Sequence, residues 1–247
     1  MKTFNYKCKV PKFKYYFRHP VEQILFFDIE TTGLSPKASS LYMIGVMFYN
    51  KEDNNWHLIQ FFADNYKSEA DMINSFLDIL ENYNYLYHFN GKTFDIPYIL
   101  NKCDKHGISP SEHSDKILND KNGIYSIDIL AYIRPVKKML NLSKANQTAL
   151  ERWLGIVRDD KFDGGKLIPI YTEYMQKKIL APSKAEELEK ILLLHNYEDI
   201  ENMLNIASIM SYNDISALSP ISDDETIFNE YSKQFYISDI TIDEDGM

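Results

Sequence analysis

Two carboxylates stand two residues apart directly after an apolar run. Asp28 and Glu30 follow Ile24-Leu25-Phe26-Phe27, a stretch that predicts a buried strand. Because successive side chains of a strand point to opposite faces, both carboxylates project to the same side. Paired carboxylate oxygens are hard ligands that suit Mg²⁺ or Mn²⁺. Taken alone, the pair also fits a solvated edge of a sheet.

Two further segments carry acidic residues at positions that suit the same site. Asp95 follows Phe94 where a strand is predicted to end and a helix to begin. His195 and Asp199 lie four residues apart in a helical stretch, which places them one turn from each other on one face. Two divalent cations about 3.5–4 Å apart need at least one shared carboxylate, and Asp28 would supply it. The structural alternatives are a helix N-cap for Asp95 and an ordinary helix histidine for His195.

In this order the motifs resemble those of the DEDD (DnaQ-like) 3′–5′ exonucleases of the ribonuclease H-like superfamily. The resemblance rests on Asp28-x-Glu30, on Asn90-x-x-x-Phe94-Asp95 and on Asp199 with a polar aromatic residue four positions before it. It covers about residues 22–212. Three more stretches are similar to the YprB-like bacterial branch: Tyr125-Ser126-Ile127-Asp128-Ile129-Leu130, Leu150-Glu151-Arg152-Trp153-Leu154-Gly155 and Gly164-Gly165-Lys166-Leu167-Ile168-Pro169.

One position departs from that family. Its tyrosine subgroup has Tyr four residues before the last Asp, and its histidine subgroup has His five residues before it. Here His195 is four residues before Asp199, and Leu194 is five before it. The chain therefore combines a histidine with the tyrosine spacing. We expect His195 to orient the attacking water or to accept its proton, and Tyr197 is the alternative for that role.

The resemblance implies two Mg²⁺ or Mn²⁺ ions per site, held by Asp28, Glu30, Asp95 and Asp199. These four residues and His195 are the predicted catalytic residues. A loop after the first motif is expected to take the 3′-terminal nucleotide, although core packing is an alternative role for the two residues of the second motif. The predicted substrate-binding residues are Thr31, Thr32, Gly33, Leu34, Asn90 and Phe94.

The main functional hypothesis is a two-metal-dependent 3′–5′ exonuclease that hydrolyses phosphodiester bonds of DNA or RNA, with a single-stranded 3′ end as its substrate. The first alternative is an endonuclease of the same superfamily that cuts particular structures or RNA:DNA hybrids. The second is a non-catalytic nucleic-acid-binding module. The presence of all four carboxylates argues against that last alternative.

Composition limits the partners and the compartment. The 247 residues carry a net charge of −9, which suggests weak binding to a polyanion, although bound divalent cations would invert the local field. Two cysteines, Cys8 and Cys103, match neither a metal-binding nor a disulfide pattern, as is typical of a reducing compartment. The sequence shows no apolar signal core and no run of about 18 apolar residues. We therefore expect a cytoplasmic protein that makes no membrane contact.

The periodicity predicts a ribonuclease H-like α/β fold. Its mixed five-stranded central sheet would have three antiparallel strands followed by parallel ones, with helices on both sides. The predicted strands are Ile24–Glu30, Leu41–Tyr49, Trp56–Phe62, Tyr83–Phe89 and Ile124–Ile127. The segment from Cys103 to Asn122 reads as a surface loop, and a long helix at 183–211 would carry the last motif, with Ser183 as its N-cap.

We expect one enzymatic domain at 22–212 between two extensions. Residues 1–21 hold six basic residues and no acidic one, whereas 213–247 hold nine acidic residues and the single Lys233. The aromatic rings of the first extension could stack single-stranded bases, and a flanking β-hairpin is the alternative. In the acidic extension, Phe235–Ile242 is a candidate edge strand.

Overall fold

A mixed six-stranded sheet forms the centre of the fold in the computed structural model, which describes residues 1–8, 17–162, 164–207 and 209–210. The strands in chain order are β1 (Lys2–Lys7), β2 (Ile24–Thr31), β3 (Leu41–Asn50), β4 (Asn55–Phe62), β5 (Tyr85–His88) and β6 (Ser126–Asp128). Their spatial order is β1-β4-β3-β2-β5-β6. Strands β2, β3 and β4 form an antiparallel meander, and β5 and β6 run parallel to β2. The predicted ribonuclease H-like α/β fold is therefore confirmed.

The prediction of five strands was wrong by one, because Lys2–Lys7 adds a sixth strand. It pairs antiparallel with β4 at the edge of the sheet. Its side chains are largely exposed, so it lacks the apolar run by which the other strands are recognised. The Tyr6 ring packs edge-on against Tyr197 with 5.2 Å between ring centroids. Residues 9–16, and all of 211–247 with the candidate strand Phe235–Ile242, lie outside the described residues, and the division into domains stays a prediction.

Seven helices are described. They are α1 (Glu69–Leu80), α2 (Asp95–His106), α3 (Glu112–Leu118), α4 (Ile129–Val136), α5 (Gln147–Trp153), α6 (Gly164–Leu180) and α7 (Pro182–Ile206). Helices α1, α2 and α6 pack on one face of the sheet, whereas α4, α5 and the C-terminal half of α7 pack on the other. Within the described residues, no helix combines the length and the apolar character needed to cross a bilayer.

Two local predictions were wrong. The segment predicted as a loop after Cys103 contains the end of α2 and the whole of α3. Gly107 ends α2 in the left-handed conformation with φ of 66°, which suits glycine. Ser111 caps α3 by accepting a hydrogen bond from the N–H of Ser114 at 3.1 Å. Helix α7 begins at Pro182, whose fixed φ suits the first helical turn, so Ser183 lies inside the helix instead of capping it.

Helix α7 crosses the sheet at very short range. A Cβ atom on Gly45 of β3 would lie 2.1 Å from Ile200 Cδ1 and 2.2 Å from Asn196 Oδ1, so only glycine fits there. Gln60 of β4 donates hydrogen bonds to Asn196 Oδ1 at 2.8 Å and to the Leu193 carbonyl at 2.9 Å. These contacts fix the position of α7 above the middle of the sheet.

Candidate active site

Strand β2 places two carboxylates under α7. Its even-numbered side chains from Ile24 to Glu30 share one face, and the odd-numbered side chains from Leu25 to Ile29 pack on the other. Hydrogen-bonded strands flank β2 on both sides. Asp28 accepts a hydrogen bond from Asn196 Nδ2 at 2.9 Å. The prediction of a solvated edge pair is excluded, because β2 is a central strand and Glu30 is buried.

Asp95 begins α2 and reaches back to β2. Its Oδ1 accepts a hydrogen bond from the Ile29 N–H at 3.3 Å, which places the carboxylate above the peptide between the two acidic residues of β2. The residue at the N-cap position is Phe94. Asp95 is therefore not the helix N-cap that the structural alternative required, and it is buried at the carboxyl end of β5.

Helix α7 contributes the third motif. The Nε2 atom of His195 lies 3.2 Å from Asp199 Oδ2 and 3.6 Å from Glu30 Oε1. One ligand atom from each of Glu30, His195 and Asp199 lies within 4.8 Å of the others. The four-residue spacing thus places both α7 side chains over β2. All five predicted catalytic residues come together, although their catalytic roles stay predictions.

Burial, together with neighbouring charges, raises the pKa of three acidic side chains of the cluster. Burial, followed by the charges of Asp95, Asp199 and Glu30, holds the pKa of Asp28 well above its usual range. Burial raises the pKa of Glu30 to about 7, although the nearby His195 opposes the shift. Burial also raises the pKa of Asp95 to about 7, against hydrogen bonds from backbone N–H groups. Carboxylates that repel one another in this way need a cation to ionise together, and an all-oxygen set of this kind fits Mg²⁺ or Mn²⁺.

The comparison with protein families identifies the fold family. A family model of the RNase H superfamily matches residues 25–211. The chain belongs to the RNase H superfamily. The match includes every residue of the cluster, from Asp28 to Asp199.

Two solved structures are similar to this chain. The family B DNA polymerase from the archaeon Pyrobaculum calidifontis is 19% identical, with a TM-score of 0.56 over 78% of this chain and 25% of the polymerase. At this identity the likeness to the polymerase concerns the fold alone. A complex of Escherichia coli exonuclease I with single-stranded DNA and zinc is 15% identical, with a TM-score of 0.40 over 68% of this chain and 42% of that one.

Short stretches also resemble curated DNA polymerases. DNA polymerase 1 of Sulfurisphaera ohwakuensis is 39% identical over 59 residues, which are 24% of this chain and 7% of that protein. The DNA polymerase of Ostreid herpesvirus 1 is 38% identical over 47 residues, or 18% of this chain and 2% of that protein. The chain therefore spans only a small part of the polymerases that it resembles.

In this RNase H superfamily member, two residues that were not predicted from the sequence hold His195 and Asp199, which we call the α7 pair. Asp160 Oδ2 lies 2.7 Å from His195 Nδ1, so this carboxylate accepts a hydrogen bond from the Nδ1–H and leaves Nε2 facing the carboxylate cluster. Arg158 donates to Asp199, and its Nη2 donates to the His195 carbonyl at 3.2 Å. Both lie in the segment between α5 and α6, and no spacing in the sequence connects them with α7.

The guanidinium of Arg158 also lies close to two other acidic side chains. Arg158 lies 3.2 Å from Glu151 Oε1 and 3.4 Å from Glu198 Oε2. Glu198 also accepts hydrogen bonds from the N–H groups of Asp159 at 2.8 Å and Asp160 at 3.0 Å. Glu198 therefore anchors the 158–160 segment to α7 and is turned away from the carboxylate cluster, as its position on the helix predicts.

Four of the predicted substrate-binding residues line a cleft beside the cluster. This cleft of about 330 Å³ is bordered by Thr31, Gly33, Leu34 and Phe94, together with the acidic residues of β2 and the α7 pair. Leu34 is 85% exposed, as expected of a side chain available to a ligand. The cleft opens directly onto the carboxylates.

Two other predicted substrate-binding residues lie elsewhere. The Thr32 hydroxyl accepts a hydrogen bond from the Ser40 N–H at 2.8 Å, so it stabilises its own loop. Asn90 takes a left-handed conformation with φ of 66°, and its N–H donates to Asp128 at 2.9 Å. Among the described residues lining the cleft, neither of them is found, and their contact with substrate stays a prediction.

Tyr197 is not placed to replace His195. Its hydroxyl donates to Glu201 at 2.8 Å, and its ring packs against Tyr6. Both contacts lie on the side of α7 that faces β1. Without movement of α7, this hydroxyl cannot reach the carboxylate cluster.

Proposed function

We propose that this chain is a divalent-metal-dependent nuclease that hydrolyses phosphodiester bonds of DNA or RNA as a DEDD-type 3′–5′ exonuclease of the YprB-like branch. One observation carries the proposal. Four carboxylates from three distant segments converge on one point: Asp28, Glu30, Asp95 and Asp199. Glu30 and Asp95 are buried, Asp28 is partly buried, and these three have raised pKa values. Such a cluster is costly unless a cation offsets it. The short similarity to DNA polymerases supports a nucleic acid as the substrate.

These four carboxylates would hold two Mg²⁺ or Mn²⁺ ions. When bound, the ions lower the pKa of a water molecule and offset the negative charge that develops on the phosphate. The charges of Asp95, Asp199 and Glu30 all act on Asp28, and Asp28 would be the shared ligand. Asn196 holds one oxygen of Asp28, which fixes the direction of the other.

His195 is the residue placed to move a proton. Its Nε2 faces the cluster, and the hydrogen bond from Nδ1–H to Asp160 would leave Nε2 as the nitrogen that accepts a proton from the attacking water. This is the arrangement of a base with an orienting carboxylate behind it. Arg158 donates to the backbone carbonyl of His195 and to the carboxylate of Asp199, so it helps to fix the relative position of these two residues.

The cleft between the 31–34 segment and Phe94 would hold the terminal nucleotide. Gly33 permits close approach of a ligand to the backbone, and the exposed Leu34 presents an apolar side chain for contact with a base. The substrate would therefore be a single-stranded 3′ end, placed with its last phosphodiester over the β2 carboxylates.

An endonuclease is the second candidate, and one feature favours it. A further cleft, of about 640 Å³, lies on the other side of the α7 pair and shares His195, Asp199 and Gly164 with the first. A strand lying through both clefts would extend past the cluster in both directions. An enzyme that cuts within a strand needs this passage, whereas an exonuclease does not.

End-labelled single strands of DNA and RNA test the proposal. With Mg²⁺ or Mn²⁺ the chain should release mononucleotides from the 3′ end, and Asp28→Asn should release none. A chemically blocked 3′ end stops an exonuclease but leaves an endonuclease active. Binding without any metal-dependent product would contradict both enzymatic candidates and favour a non-catalytic binding module.

A further inference from the structure

The loop between β2 and β3, residues 32–40, is held by its own hydrogen bonds. The Thr32 N–H donates to the Ser40 carbonyl at 2.8 Å. The Ser39 hydroxyl donates to the carbonyl oxygen of Gly33 at 2.9 Å and lies 2.8 Å from the Tyr98 hydroxyl. We call residues 32–40 the cleft loop, because Gly33 and the exposed Leu34 border the cleft beside the carboxylate cluster.

A buried ion pair lies directly behind the cleft loop. The Lys102 side chain is 0% exposed, and its Nζ lies 2.7 Å from Glu69 Oε1. Lys102 also donates a hydrogen bond to the Ser39 carbonyl at 2.6 Å. Glu69 accepts a hydrogen bond from the Leu41 N–H at 2.9 Å. The pair therefore holds the backbone at the end of the loop and at the first residue of β3.

A comparison with Lys105 shows which contact distinguishes Lys102. It lies one turn further along α2 and binds the same carboxylate, with 2.8 Å between its Nζ and Glu69 Oε2. Its side chain is 52% exposed. Among the described residues, its hydrogen bond goes to Glu69, whereas Lys102 bonds the backbone of the loop as well.

Burial of a lysine and a glutamate has a desolvation cost that their mutual attraction often fails to repay. An apolar side chain of similar length would fill the space that Lys102 occupies. What an apolar side chain cannot do is donate to the Ser39 carbonyl. These contacts indicate that the charged group of Lys102 serves to hold the conformation of the loop.

We propose that Lys102 and Glu69 are positioning residues that hold the cleft loop in the conformation that receives the terminal nucleotide of the substrate. The inference rests on the proposed nuclease function and adds a part of the molecule about which the motifs say nothing. Neither residue borders the cleft. They act through Ser39 and Leu41 on the position of Leu34.

The test compares Lys102→Met with Lys105→Met, which removes the same charge from the same carboxylate but leaves the loop contact intact. Single-stranded DNA or RNA, whichever the wild-type chain cleaves, is the probe. Loss of a hydrogen bond from a charged donor should raise KM about 10-fold in Lys102→Met. The kcat should stay within about 2-fold, because the carboxylate cluster is unchanged. Lys105→Met should keep the wild-type KM.

Two measurements separate positioning from general destabilisation. Hydrogen exchange should accelerate in the peptide that covers residues 32–41 of Lys102→Met, and not in Lys105→Met. Mn²⁺ affinity, measured by calorimetry, should be equal in all three proteins. If Lys102→Met does not fold, Tyr98→Phe removes only the hydroxyl that contacts Ser39, and a smaller rise in KM, about 2- to 3-fold, is expected.

The possible outcomes are distinct. Equal KM values for the wild type, Lys102→Met and Lys105→Met would overturn the positioning role and leave the nuclease intact. Equal exchange in the loop peptides would do the same. A wild-type chain that cleaves neither nucleic acid would overturn both the nuclease and this inference.

Discussion

The carboxylate of Glu69 and the carboxylates at β2 lie in opposite environments. Glu69 is surrounded by cations, with Lys102 at 2.7 Å, Lys105 at 2.8 Å and His106 at 2.6 Å. Burial alone would raise the pKa of Glu69, but hydrogen bonds from these side chains and from the Leu41 N–H outweigh it and lower the pKa to about 2. This carboxylate is fully compensated by the protein itself.

The cluster at β2 lacks such compensation. Within the described residues, no lysine or arginine forms an ion pair with Asp28, Glu30 or Asp95, and the only cationic group close to Glu30 is His195 at 3.6 Å. Burial raises the pKa values of these three carboxyls. The pKa of Glu69 is lowered instead, because its hydrogen bonds outweigh its burial. A carboxylate with cationic protein partners supports the fold, whereas the β2 carboxylates, which form no ion pair with a described lysine or arginine, are a candidate site for a cation from outside the chain.

Removal of Asp28, the proposed shared ligand, should give the largest effect. Asp28→Asn should lower single-turnover cleavage by at least about 10³-fold, or about 4 kcal/mol in activation free energy, and should weaken the binding of both ions. Asp104→Asn, an exposed change of the same charge on α2, is the control. If Mn²⁺ calorimetry finds two sites of unchanged affinity in Asp28→Asn, the proposed difference between Glu69 and the carboxylates at β2 is contradicted.

The histidine of the cluster comes next. His195→Ala should slow cleavage by about 10²- to 10⁴-fold, the range of a positioned general base, and weaken Mn²⁺ binding far less than Asp28→Asn does. His195→Tyr should recover part of the rate if the position mainly orients water. If rapid-quench kinetics find the wild-type rate of cleavage in His195→Ala, this residue has only a structural role in the helix.

Glu69→Gln should lower the stability of the fold and leave kcat close to the wild-type value. The folded pKa of about 2 against an ordinary value of 4.5 corresponds to a loss of about 3 kcal/mol in the free energy of unfolding at neutral pH. Urea unfolding measures this loss. Asp95→Asn is the matched comparison, because it relieves repulsion and should leave the metal-free protein as stable as the wild type or more so. Equal destabilisation by both changes would show that the two groups are alike.

A pH series without metal tests the same contrast through the stability of the folded chain. Glu30 and Asp95 have raised pKa values of about 7, so the folded chain binds more protons than the unfolded chain between about pH 4.5 and 7. Their contribution to stability therefore falls as the pH rises through this window, and His195, whose pKa is also raised, acts in the same direction.

Glu69 behaves in the opposite way over a lower window. Its contribution is present above about pH 4.5 and is lost as the pH falls toward 2. Thermal melts in EDTA should show the loss between pH 4.5 and 7, and saturating Mg²⁺ should remove most of it. A melting temperature in EDTA that stays constant across this window would contradict the raised pKa values.

Local periodicity accounts for what could be predicted. Strand β2 was placed to within one residue because its apolar run is unbroken, and period 2 puts Asp28 and Glu30 on one face. The four-residue spacing brings His195 and Asp199 together once α7 is helical. Strand β1 was missed because an exposed edge strand has no apolar run, and α3 was missed because its apolar residues are only two, Ile117 and Leu118.

The amino-acid sequence by itself determined the type of each site residue, the strand or helix that carries it, and the superfamily. Only the tertiary structure decided which neighbours compensate which charge. Lys102 reaches Glu69 across 33 positions, and Asp160 reaches His195 across 35. Local spacing cannot encode such pairs, because they form where separate elements pack together. Among the described residues, the same packing brings no lysine or arginine into an ion pair with Asp28, Glu30 or Asp95, and this difference separates the candidate active site from the buried ion pair.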